Sequence, residues 1–134
     1  NKMSKKGFSL AEILIVVVVA SVLVAISVPN FLRTIDKENA RQAITYLLLI
    51  RSAQKVYYSN HQTYVNCTST ADIQTNLGIE ISDGDYKFSV TGASSTTFTA
   101  QAKKDTSDYI QLTAACEWTK VGLSYVSLPA NGTC

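Results

Sequence analysis

Between Lys6 and Arg33 the chain carries a single charge, Glu12, and from Ile13 to Leu32 it carries none. That run of 20 residues, built as a helix, is long enough to cross a hydrocarbon layer about 30 Å thick. A carboxylate at the head of such a segment costs roughly 2.5–3.5 kcal/mol if it lies deep in lipid. An anchor that only holds a protein in a membrane gains nothing from that expense. A segment that leaves the bilayer and packs beside copies of itself does gain, because a neighbouring positive group can pair with the acid. Two plainer readings compete. A secretory signal has an apolar core of roughly 7–15 residues followed by a small-residue cleavage site, whereas here the core is longer and the small-residue junction, Gly7-Phe8, precedes it. A simple single-pass anchor, with Lys5 and Lys6 on the cytoplasmic side, fits the charge pattern as well.

The apolar pattern continues past the membrane segment in a different form. Ala40, Ala43, Ile44, Leu47, Ile50, Ala53 and Tyr57 recur at three-and-four spacing, with Asp36, Lys37, Glu38, Arg41, Arg51 and Lys55 mostly on other faces. The spacing predicts one helix from about Ser9 to Ser59, apolar all round in its first half and striped in its second. Pro29 lies inside it, so a kink or local loosening is expected there. Asn60, His61 and Gln62 end the helix, and Ser69 or Thr70 caps a short second helix through Leu77, closed by Gly78. Strand patterns follow. Tyr86, Phe88 and Val90 alternate with polar residues, as do Phe98, Ala100 and Ala102, then Ile110, Leu112 and Ala114. Leu123 to Leu128 reads as a fourth strand, ended by Pro129. Short turns at residues 92–95 and 105–108 make this an antiparallel meander with one apolar face for the helix stripe. The fold class is α+β, a long N-terminal helix on a small antiparallel sheet.

Of the 134 residues, about 30 belong to the membrane segment, which leaves one domain of roughly 100 residues. A formal net charge of +2, from 12 basic and 10 acidic residues, is too balanced for a polybasic membrane module or a dedicated nucleic-acid binder. Three cysteines, Cys67, Cys116 and Cys134, follow the membrane segment, so an exported domain would form one disulfide. Three pairings are open to the residues alone.

The stretch GFSLAEILIVVVVASVLVAISVPNF resembles the N-terminal signature of type IV pilins and of the pseudopilins of type II secretion. The resemblance covers about 25 residues and rests on the Gly-Phe-x-x-x-x-Glu spacing joined to the long apolar run. It implies a leader of residues 1–7 ending at Gly7, removed by a membrane-bound prepilin peptidase. Phe8 then becomes the mature, N-methylated terminus, and Glu12 the fifth-position acid. It implies a polymerisation helix over residues 8–32 and a globular pilin domain over 33–134. Pro29 matches a helix-interrupting proline whose neighbourhood extends when subunits enter a fibre. The Cys116–Cys134 pair resembles the C-terminal disulfide loop of many pilins, leaving Cys67 a buried free thiol. The partners implied are further copies of the same chain in a helical filament, the peptidase, an inner-membrane assembly platform, and the membrane itself before assembly. The implied location is the bacterial inner membrane for the precursor and then an extracellular pilus.

The rest of the chain shows no catalytic constellation, and no cofactor is expected. His61 has no cysteine or carboxylate at ligand spacing, and there is no glycine-rich phosphate loop. Asp83, Asp85, Asp105 and Asp108 fall in turns, where solvated carboxylates are ordinary and calcium is the alternative. Three functions are therefore weighed: a structural pilus subunit, a secretion pseudopilin in a short periplasmic fibre, and a minor or competence pilin that binds DNA. Lys87, Lys103, Lys104 and Lys120 would be the basic groups of the last, although four lysines more often make only a solvated face.

Overall fold

The computed structural model describes residues 7–134; Lys2, Lys5 and Lys6, expected to belong to a leader, lie outside them. The elements run α1 (Leu10–His61), α2 (Thr70–Leu77), β1 (Lys87–Thr91), β2 (Thr99–Lys103), β3 (Tyr109–Thr113) and β4 (Trp118–Val121). The chain divides into two compact units, one up to Asp36 and one from Lys37 to Cys134.

In the first unit the large apolar side chains of α1, Ile13 to Leu32, are all exposed. The most apolar stretch has a mean hydropathy of 2.8, and none of it is buried inside the protein. Even the two serines suit an apolar surround. The Ser21 hydroxyl donates to the Val18 carbonyl at 2.7 Å, and that of Ser27 to Leu23 at 2.7 Å, so neither presents an unsatisfied donor to lipid. In the single chain α1 runs unbroken through Pro29. Proline removes one i to i−4 bond, and the intact bonds on either side carry the helix across.

In the second unit the predicted stripe is the buried face of α1: Ala40, Ala43, Ile44, Leu47, Ile50 and Ala53. It covers the inner face of a four-stranded antiparallel sheet of order β1-β2-β3-β4. The pairings Phe88↔Ala102, Val90↔Ala100, Ala100↔Leu112 and Ala102↔Ile110 put the inward residues of neighbouring strands in register. Small alanines on β2 lie between larger residues on β1 and β3. Tyr46 of α1 meets Phe88 edge-on, ring centres 5.4 Å apart. Full burial of side chains such as Leu47, Ile50 and Phe98 contributes roughly 1.5–3 kcal/mol each. The outer edge of β1 is met near its end by Cys67, which exchanges both backbone hydrogen bonds with Val90.

Helix α2 forms where its caps say it should. The Ser69 hydroxyl accepts from the Asp72 N–H at 3.2 Å. Gly78, at φ +65°, returns its N–H to the Gln74 carbonyl in a conformation that costs a residue with a side chain about 1 kcal/mol or more. The fourth strand corrects the sequence reading. It is Trp118–Val121, not Leu123–Leu128. Gly122, at φ +74°, ends it, and any Cβ there would collide with the Asp108 carboxylate. Leu123 and Val126 are then both buried from a turn closed by the bond from the Val126 N–H to the Leu123 carbonyl. Their spacing of three, not two, is that of a turn.

Candidate functional site

At its head α1 is closed by a reciprocal pair. The Ser9 hydroxyl accepts from the Glu12 N–H at 3.2 Å, and a Glu12 carboxylate oxygen accepts from the Ser9 N–H at 3.3 Å. This is a capping box. It satisfies two of the backbone donors that a helix start leaves unpaired, which in an apolar surround has added value. The sequence reading missed it, although the Ser-x-x-Glu spacing is its signature. The carboxylate is thus held at the helix start by its own chain while still exposed to a neighbour. Phe8, at 85% exposure, and Gly7, with open space around it, precede the box.

The Cys116–Cys134 disulfide is present, with Cα atoms 6.1 Å apart. Its loop is tied down at two further points. The Gly132 N–H reaches the Cys116 carbonyl at 2.9 Å, and the Trp118 N–H donates to the Asn131 side-chain oxygen at 2.8 Å. Cys67 is the free, buried thiol. Burial pushes its pKa up, outweighing the opposing effect of a hydrogen bond from Asn76, so it is held as an inert, neutral group.

The turn aspartates are occupied locally. Thr70 donates to Asp83, Asn39 to Asp85 at 2.7 Å, the Thr106 N–H to Asp105 at 2.6 Å and Ser107 to Asp108 at 3.1 Å. Among the described residues no three His, Cys, Asp or Glu side chains converge to hold a metal ion. His61 lies exposed in the last turn of α1, stacked on Tyr57 with ring centres 4.0 Å apart.

The four lysines weighed above separate into two groups. Lys87 and Lys103 face each other in register on β1 and β2, both exposed. Lys104 and Lys120 lie instead against the turn after β4. The Lys104 Nζ is 3.4 Å from the Tyr125 hydroxyl, and Lys120 donates to the Val126 carbonyl. That turn also lines a cavity of about 160 Å³ against α1, where Lys37 and Arg41 face Tyr125 and Ser127. Sequence reasoning did not gather Lys37 and Arg41 with the others, because more than 80 residues separate them from Tyr125.

A long helix apolar in its first half, an amphipathic second half against a four-stranded meander, and a disulfide-tied C-terminal loop together define a pilin-type filament subunit. Sequence comparison resolves the class further. The family described as "Type IV minor pilin ComP, DNA uptake sequence receptor" matches residues 29–118, and the chain belongs to it. The prokaryotic N-terminal methylation motif matches residues 2–28. The type IV wide pilus major component PilA4 of Thermus thermophilus is 29% identical over 93 residues, 69% of each chain. The type IV major pilin PilA of Myxococcus xanthus is 36% identical over 59 residues, 44% of this chain and 27% of that one. The type II secretion system core protein G of Klebsiella michiganensis is 29% identical over 64 residues, 48% of this chain and 45% of that protein. The chain is thus a type IV pilus subunit, a membrane-anchored precursor that becomes part of an extracellular pilus, and its relatives are filament components.

Proposed function

We propose that this chain is a non-enzymatic minor pilin that serves its pilus as a receptor for DNA. The observation that carries this reading is the extent of the family match, residues 29–118. It covers the amphipathic half of α1, α2 and strands β1 to β3, ending at the first residue of β4, and not only the N-terminal segment that all such filament subunits share.

Assembly follows from the N-terminal chemistry. Prepilin peptidase cuts after Gly7, removing residues 1–7, and the new Phe8 amine is methylated. Residues 8–32 hold the subunit in the inner membrane until the assembly platform draws it into the fibre, and residues 33–134 form the surface domain. An incoming Phe8 amine meets Glu12 of the subunit already in place. In low dielectric that pair is favoured over two isolated charges, and it sets the axial register. The capping box supports this arrangement, because it fixes the acid near the helix start before any partner arrives. Pro29 is where α1 can loosen as subunits pack.

A second reading, a secretion pseudopilin, draws support from the core protein G alignments at 29% and 33% identity. Deleting the chain from its host separates the readings. A DNA receptor predicts loss of DNA uptake with long surface fibres retained. Loss of the fibres themselves would mark a major pilin, and loss of protein export a pseudopilin; either result overturns the proposal. Glu12→Ala should insert in the membrane yet fail to enter filaments, and normal incorporation would remove the pairing mechanism.

A further inference from the structure

We propose that the cavity between α1 and the turn after β4 is a phosphate seat, the place where this chain grips the backbone of duplex DNA. The inference rests on the DNA-receptor reading above and gives it a location. Lys37 and Arg41 are four residues apart on α1, so they stand on one face of the helix, one turn above the other. Both line the cavity, opposite Tyr125 and Ser127, and its floor is the apolar pair Ala40 and Ile44, both buried. Both cations are exposed, so an incoming anion can reach them without displacing the core. The described lining residues include two cations, two hydroxyl groups and no carboxylate.

The surroundings extend the same sign of charge. Lys104 reaches the Tyr125 hydroxyl, with its ammonium 5.9 Å from the ring centre. Lys120 secures the Val126 carbonyl. Cations from α1, the β2–β3 turn and β4 therefore meet at three consecutive residues, Tyr125 to Ser127. Glu38 pairs with one terminal nitrogen of Arg41 at 3.6 Å, both side chains being well exposed, and such a pair is weak enough to exchange for a phosphate. A spread of cations over three elements suits a repeating anion better than a single small one, because neighbouring phosphates then find separate partners. No base-reading group is part of the seat, so its contribution is affinity and not sequence choice.

The test is fluorescence anisotropy of a short labelled duplex, titrated with the full chain in neutral detergent micelles from about 50 to about 200 mM salt. Lys37→Gln with Arg41→Gln should weaken binding about tenfold and lower the log–log salt slope by about two. Lys37→Arg with Arg41→Lys should restore it, which separates charge from folding, and Lys55→Gln on the same helix should bind as the parent does. If the Lys37/Arg41 double variant binds as the parent does, the seat is wrong while the receptor reading stands; weakening by Lys87→Gln with Lys103→Gln would then move the contact to the sheet. If the parent chain binds no duplex across this range, the receptor reading falls and the seat with it. Vesicles containing phosphatidylglycerol form the second arm. Should the double variant lose vesicle binding while its duplex binding is unchanged, the cavity holds a lipid headgroup and the DNA assignment is overturned.

Discussion

Gln54 is the one polar side chain in the core of the globular unit, fully buried on α1. It acts as a two-pronged clamp on the loop after the helix. Its Oε1 accepts from the Val65 N–H at 3.0 Å, and its Nε2 donates to the Val65 carbonyl at 2.7 Å. Gln54→Leu keeps most of the volume and removes both bonds, leaving a half-buried donor and acceptor without partners. At about 1 kcal/mol for each such group, the lower part of the range for buried ones, the loss is about 2 kcal/mol, a shift of roughly thirtyfold in the folding equilibrium. Gln54→Ala adds a cavity and should cost about 3–4 kcal/mol. Urea unfolding of the unit from Lys37 onward, which holds the whole buried cluster, reads the total. Amide exchange at Val65 reads the clamp alone and should accelerate in both variants. The loop has other anchors, among them the Tyr64 N–H bonded to the Ser94 carbonyl at 3.0 Å, the Tyr64–Phe98 ring contact at 4.7 Å and the Cys67–Val90 backbone pair. A Gln54→Leu protein within about 0.5 kcal/mol of the parent, with unchanged exchange at Val65, would mean that these anchors suffice and that the clamp is redundant.

Replacing Cys116 and Cys134 together by serine opens a loop with a sequence separation of 18, and the chain-entropy relation gives a loss of about 3 kcal/mol. Urea midpoints should fall accordingly, and a loss below about 1 kcal/mol would mean that the Asn131 and Gly132 hydrogen bonds already hold the loop. The Asp72 carboxyl is held below the usual carboxylate range, first by the Thr68 hydroxyl and then by the Thr68 N–H. Its contribution is therefore present above the unfolded value and lost as pH falls through the lower folded one. Asp72→Asn should flatten the acid limb of α2 stability in an NMR titration; unchanged limbs would show that the contact stabilises nothing.

Much of the fold could be read from residue spacing. The α1 stripe, both caps of α2 and three strands are local patterns, each set by residues a few positions apart. β4 escaped because only Trp118 of its four residues is buried and Lys120 stands on the same face, so there is no apolar alternation to detect. Leu123, Tyr125 and Val126 supplied a false one nearby. The capping box is legible as Ser9-x-x-Glu12, although the same acid also reads as a partner for another molecule. The approach of Lys37 and Arg41 to Tyr125 was not legible. It depends on where the chain returns after four strands, which no local pattern encodes.

The two flanks of the sheet are unlike each other. On one side Cys67 pairs with Val90, next to the last residue of β1, and on the other β4 is only four residues long, three of them exposed, with Lys120 among them. A flank that is plugged, and one that is short and charged, give a neighbouring molecule little to zip onto. Growth by strand addition is thereby discouraged. The sheet is kept from seeding amyloid-like ribbons.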